Sequence, residues 1–172
     1  IARLVGSEMC IRDRLEDPLN YIKLENALGG RPSLCVVDST NMLNENKGMS
    51  ETLLKEPISK VIEESKGRVI FTSFASNLGR LKIIAEAGEK SGRSIAVFGR
   101  AMNNMLSKAL ETSIFTAFPT LIDSRKAHMV PRENLLVIAT GSQGEIRAAS
   151  AQLSRGKYMG LELEDGDTFV FS

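Results

Sequence analysis

The chain has 172 residues, 42 % of them apolar and 25 % charged, with a formal net charge of +1. That is the balance of one ordinary globular domain with a core of its own, which excludes wholesale disorder, and with no run of eighteen apolar residues a transmembrane helix is excluded too. A charge so near zero supplies no long-range basic field for nucleic acid, although a local basic cleft stays open.

The first fourteen residues show no secretory pattern and no clear helical or strand period. Within them Val5–Asp13, VGSEMCIRD, resembles the translation of a transposon end used in preparing sequencing libraries. Residues 1–14 are therefore expected to be an artefactual tail, Cys10 to carry no function, and the chain to be a fragment that has lost its upstream part.

From Ser33 onward, short β-branched runs alternate with amphipathic stretches. The runs are Leu34–Val37, Val69–Phe71, Ile95–Phe98, Leu135–Ile138 and Thr168–Phe171. The first four are apolar on successive residues, the pattern of strands covered on both faces in a parallel sheet. Four helical stripes lie among them: Leu54, Ile58, Val61 and Ile62; Leu78, Leu81, Ile84, Ala85 and Gly88; Met102, Met105, Leu106 and Ala109; Ala148, Ala149 and Leu153. Pro57 should delay or kink the first helix. Lys66-Gly67 and Ser91-Gly92 sit where C-caps are expected. Residues 113–134, with Pro119 and Pro131, read as a long connection holding one edge strand around Ile114–Phe118. The alternation predicts an α/β fold, a Rossmann-like parallel sheet with helices on both faces. Ligands of such sheets sit outside the carboxyl ends of the strands.

The strand-end loops are therefore the places to look. Asp38, leaving the first run, is either a cation ligand or a turn-and-cap residue. Ser50-Glu51 reads locally as a helix cap with an acid in the first turn. Thr72–Asn77, Gly99–Met102 and Thr140–Glu145 each place small residues and backbone N–H groups at a helix start. That geometry suits a phosphate, with Arg100 adding a bidentate contact, or merely permits tight turns. Neither a dinucleotide fingerprint nor a P-loop is present. The single histidine, His128, lies in the irregular connection and excludes a self-contained multi-histidine zinc hydrolase. The two cysteines, Cys10 and Cys35, make no disulfide framework; Cys35 reads as a small core residue and the protein as cytoplasmic. Phe74, at a strand end, reads as core first and as a base-stacking ring second.

Taken in order, DSTN (Asp38–Asn41), Ser50-Glu51, FTSFASN-x-x-R (Phe71–Arg80), VFGRAM (Val97–Met102), TGSQGE (Thr140–Glu145) and GDTFVFS (Gly166–Ser172) resemble ribonuclease J, a bacterial member of the β-CASP branch of the metallo-β-lactamase-fold nucleases. The resemblance runs from about Ser33 to Ser172. It implies a binuclear zinc hydrolase core with a β-CASP domain inserted into it. Asp38 matches the aspartate that bridges the two zinc ions, and Glu51 the acid that opens the β-CASP motif series; these are the catalytic residues it implies. It also implies action on RNA, as a 5′ exonuclease preferring 5′-monophosphate ends and as an endonuclease. Ser76, Asn77, Arg80, Arg100, Gly141, Ser142 and Gln143 are the RNA or phosphate contacts expected. Several features depart from the family pattern. The H-x-H-x-D-H ligand motif before Asp38 and the later metal-ligand histidine are absent, as are the histidines of the last β-CASP motifs. Gly79 stands where some members have histidine. Ile146-Arg147 follows TGSQGE where proline is common.

The expected layout is thus an artefactual tail (1–14), the end of the first metallo-β-lactamase segment with the Asp38 strand (15–50), and a β-CASP domain (51–172), truncated at both ends. The parent is expected to be a cytoplasmic, homo-oligomeric, zinc-dependent ribonuclease of RNA processing and decay, with no membrane contact. The chain alone is expected to be inactive and marginally stable, supplying RNA-binding loops and one metal-ligand aspartate to the rest of the metallo-β-lactamase domain. Three other readings stay open: a non-catalytic RNA- or nucleotide-binding α/β module, another β-CASP hydrolase acting on DNA or a small substrate, and a flavodoxin-like domain of unrelated role.

Overall fold

The computed structural model describes residues 21–29 and 51–172. Leu34–Val37, Asp38, Cys10, Cys35 and Val5–Asp13 lie outside the described residues. The chain divides into two units, residues 1–53 and 54–172. In the first, Tyr21–Leu28 forms a short helix, α1, closed by the Gly29 N–H donating to the Glu25 carbonyl at 3.2 Å.

The second unit is built on four strands: β1 (Val69–Thr72), β2 (Ser94–Phe98), β3 (Leu135–Ala139) and β4 (Thr168–Phe171). They form one sheet in the order β2-β3-β1-β4, and every pairing is parallel. The helix α2 (Lys55–Glu64) precedes β1. Parallel neighbours need crossovers, and three amphipathic stretches lie on them: α3 (Leu78–Lys90), α4 (Arg100–Glu111) and the six-residue α5 (Ala149–Ser154). β1 and β3, the inner strands, are buried at every residue, as their unbroken apolar runs require.

The sheet separates two apolar layers. On one side Ile58 and Ile62 of α2, Leu81 and Ile84 of α3, and Met102 and Leu106 of α4 pack against Val69, Phe71, Ile95, Val97, Leu136 and Ile138. On the other, Ile70, Ala96, Phe98, Leu135, Val137 and Ala139 meet Ala127, Leu161 and, from α5, Ala149 and Leu153. The second face is thus covered by one short helix, the six-residue 3-10 segment Ser124–Met129 and the loop around Leu161, a thinner cover than the expected full helix.

Pro57 is the third residue of α2, within the first turn, where a missing N–H interrupts no intrahelical bond; the helix starts ahead of it, at Lys55, and is not delayed by it. The C-terminus of α2 is not closed by Lys66-Gly67. The Arg93 guanidinium instead takes the Ile62 and Ser65 carbonyls at 3.2 and 2.6 Å and the Gly67 carbonyl at 2.8 Å. α3 does end as expected, with Gly92 N–H on Glu89 and Arg93 N–H on Gly88, a Schellman closure. The edge strand expected at Ile114–Phe118 does not form. Phe115 is buried there against the core and against the Phe118 ring, and only Leu121 bridges to Ile95 on β2. Pro119, lacking an N–H, cannot extend that edge.

The amino ends of the strands carry the ionic network. The Asp167 side chain, 4 % exposed, accepts from Arg68 N and Nη1, from Arg132 Nε and Nη2, and from Glu164 N. This joins the residues just ahead of β1, β3 and β4. Among the described residues no helix is long and apolar enough to cross a membrane.

Candidate functional site

At the opposite, carboxyl edge the strands β1, β3 and β2 open into one cavity of about 860 Å³. Ser73 and Phe74 reach it from β1, Gly99 and Arg100 from β2, and Thr140 and Gly141 from β3; Glu145, Arg147 and Tyr158 complete the wall. Its floor is fixed by Thr140. That residue's N–H donates to the Phe98 carbonyl at 3.1 Å, its carbonyl accepts from Ser150 N at 3.0 Å, and its Oγ1 accepts from Ala149 N at 3.2 Å. The start of α5 is thereby folded back over the end of β3. Asn103 Nδ2 donates to the Val97 and Gly99 carbonyls at 3.1 and 2.9 Å, which fixes the end of β2.

Two glycines are structural necessities here. Gly99 has φ of +120°, and a Cβ on it would lie 2.6 Å from Thr140 Oγ1. Gly141 has φ of +118°, and a Cβ on it would lie 1.8 Å from Ser150 Oγ and 2.7 Å from Ala148 Cβ. Both backbones pass too close to a neighbour for any side chain.

Of the residues expected from sequence, Arg100 and Gly141 line the cavity, whereas Ser76, Asn77, Arg80, Ser142 and Gln143 do not. Asn77 is buried and caps α3, its Oδ1 accepting from Arg80 N at 3.0 Å. Arg80 reaches the other way, bonding Ser172 Oγ just past β4. The exposed Gln143 lends its N–H to Glu145 Oε2 at 3.1 Å, and Ser142 Oγ is buried without a partner among the described residues. Glu51, in the first unit, is 6 % exposed on the 3-10 turn Glu51–Leu54. Asp38 lies outside the described residues. Arg147 and Tyr158 are cavity residues that spacing alone did not single out, and Glu145 closes the Thr140–Glu145 loop that it did. Tyr158 arrives on a tight turn closed by reciprocal bonds with Leu161, and its ring meets Phe98 edge-on at 5.8 Å.

The groups with displaced titration lie elsewhere. Burial lowers Arg93, the Asp167 hydrogen bond raises Arg132, and the Arg125 side chain holds Asp123 below the usual carboxylate range while Asp123 raises Arg125. None of the four lines the cavity. Among the described residues no three of His, Cys, Asp and Glu come together as a metal site. His128 is exposed and packs on Gly160, where a Cβ would lie 2.8 Å from Nδ1. The described residues therefore do not fit a zinc pair.

Replacing Asn77 with alanine should lower stability by about 1 kcal/mol through loss of the cap. Urea unfolding measures this directly, and an unchanged midpoint would show that the cap is not needed.

Residues 66–172, which include all four strands and the whole cavity wall, match the family model described as Ribonuclease J, beta-CASP domain. The chain belongs to the ribonuclease J family. It is similar to ribonuclease J 1 of Streptococcus pyogenes, 40 % identical over 158 residues that cover 91 % of this chain and 28 % of that protein. It is also similar to ribonuclease J of Sinorhizobium meliloti, 37 % identical over 137 residues, 80 % of this chain and 24 % of that protein. Ribonuclease J of Synechocystis is 33 % identical over 146 residues, 84 % and 23 %. The chain spans about a quarter of the length of these relatives. Ribonuclease J membership sets aside the flavodoxin-like alternative.

Proposed function

We propose that the unit 54–172 is the RNA-holding part of a ribonuclease, and that the sugar–phosphate chain of RNA crosses the carboxyl edge of its sheet. The observation that carries this is the placement of Arg100 and Arg147 in one open cavity inside the segment matched by the ribonuclease J model. Arg100, the first residue of α4, adds a guanidinium to the N–H groups of a helix start, a combination that favours phosphate. Gly141 lends backbone to the same wall. Ser76, Arg80, Ser142 and Gln143 would extend the contact along the edge, and Asn77 would act by holding the first turn of α3.

The parent would be a cytoplasmic, homo-oligomeric ribonuclease with 5′ exonuclease and endonuclease activity, preferring 5′-monophosphate ends. Residues 15–50 would close its first metallo-β-lactamase segment, and Glu51 would open the β-CASP segment. Asp38 is the one zinc ligand this chain would bring. With no further ligand set among the described residues, no hydrolytic step is assigned to it.

The 172-residue chain is therefore expected to bind single-stranded RNA without cutting it. Fluorescence anisotropy with a 5′-monophosphorylated oligonucleotide tests the binding. Affinity should fall with salt at a log–log slope of about −0.7 per phosphate contact. Absence of binding at low salt, or binding indifferent to salt, would contradict the proposal. Cleavage that survives exhaustive chelation would contradict the zinc reading.

A further inference from the structure

Resting on the reading of the carboxyl edge as an RNA surface, we infer that the cavity is a subsite for one unpaired nucleotide, in which Arg147 joins Arg100 on a phosphodiester and Phe74 offers its ring to the base. The arginines of the unit divide by location, apart from Arg155, which is exposed outside the cavity and makes no side-chain bond among the described residues. Arg68 and Arg132 bond Asp167, Arg93 bonds main-chain carbonyls, Arg125 bonds Asp123, and Arg80 bonds Ser172. Arg100 and Arg147 make no ion pair or side-chain hydrogen bond among the described residues, although Glu145 lines the same cavity. The Glu145 carboxylate instead accepts from Gln143 N within its own loop. Two exposed guanidinium groups in one cavity repel each other and attract a shared anion. A phosphodiester oxygen pair matches the guanidinium fork.

Phe74 strengthens the case from a different direction. It is 41 % exposed, while Phe71 within β1 and Phe98 at the end of β2 are each 1 % exposed. Burial therefore does not account for its position in the cavity wall. Every nucleobase has a face that such a ring can cover, but only in an unpaired strand is that face free. A volume of about 860 Å³ lies within the range of small-ligand sites.

Anisotropy with the 172-residue chain and a single-stranded RNA tests this, using Arg147→Gln, Arg147→Lys, Phe74→Leu and, as control, Arg155→Gln, an exposed arginine outside the cavity. All three sites are at the surface, and matching thermal midpoints will show that the four variants are folded. Arg147→Gln should weaken binding about tenfold and reduce the salt slope by about 0.7. Arg147→Lys should keep the slope and lose part of the affinity. Phe74→Leu should weaken binding about 5- to 100-fold with the slope unchanged. Arg155→Gln should match the parent chain, and duplex RNA should compete poorly. If Arg147→Gln behaves like Arg155→Gln, or Phe74→Leu binds normally, the nucleotide subsite is wrong while the RNA surface stands. If the parent chain binds no RNA, both fall.

Discussion

Replacing Asp167 with alanine is expected to destabilise the fold by about 3–5 kcal/mol, the penalty for removing one partner of a buried ion pair. The Arg68 side chain is 6 % exposed, its Nη1 lies 3.0 Å from Asp167 Oδ2, and its Nε already lacks a partner among the described residues. Without the carboxylate, a buried guanidinium keeps only the Glu162 carbonyl at 2.7 Å and a distant Glu164. Arg132 loses its bonds to Asp167 at the same time and keeps Glu164 and the Asp165 carbonyl. The consequence reaches the sheet, because Thr168 N donates to the Arg68 carbonyl at 2.8 Å and the β4 register on β1 starts there. Urea unfolding should show a large drop in midpoint, and hydrogen exchange should show β4 opening first. A midpoint within experimental error of the parent would mean that the network is ornamental to folding.

Gly141→Ala is expected to lower stability by about 2–5 kcal/mol, combining left-handed backbone strain with overpacking. The clash is with Ser150 Oγ and Ala148 Cβ, on the segment that folds back onto Thr140. Relief requires the β3–α5 loop to move outward, which carries Arg147 and Glu145 away from Arg100. RNA affinity should therefore fall together with stability. By contrast, Asn77→Ala should reduce stability and leave the cavity wall in place. Urea unfolding and RNA anisotropy on the same preparations separate the two effects.

Much of the sheet was legible because an inner parallel strand must be apolar on both faces. Val69–Phe71, Ile95–Phe98 and Leu135–Ile138 lie inside β1, β2 and β3, and Thr168–Phe171 is β4 itself. The stripe ending at Gly88 reads as a helix for a physical reason too: a Cβ there would lie 2.3 Å from Leu136 Cδ2, so α3 lies against the sheet. Ile114–Phe118 misled because it is a short run rich in β-branched and aromatic residues, yet Phe115 and Phe118, three apart, pack ring on ring, which a strand that alternates faces cannot do. The polar network was illegible because its partners are far apart in sequence: Arg68 and Asp167 look like ordinary surface charges until β1 and β4 pair. The same holds for the cavity. Arg100 was readable from its place at a strand end, but Arg147 and Tyr158 reach the wall only through the fold of the β3–α5 loop and the turn at Tyr158. Asn77 shows the reverse case, a residue picked for contact whose side chain is committed to a helix cap.

The arginines thus divide between the two ends of one sheet: Arg68 and Arg132 pair with Asp167 at the amino end, while Arg100 and Arg147 at the cavity on the carboxyl end have no side-chain partner among the described residues. Titrating the isotopically labelled chain with single-stranded RNA and following backbone amide shifts tests that division most directly. RNA on the carboxyl edge will shift the amides of Ser73, Gly99, Arg100, Gly141 and Ala148 and leave those of Arg68 and Asp167 in place. Shifts gathered around Arg68, Arg132 and Asp167, or none at any residue, would contradict it.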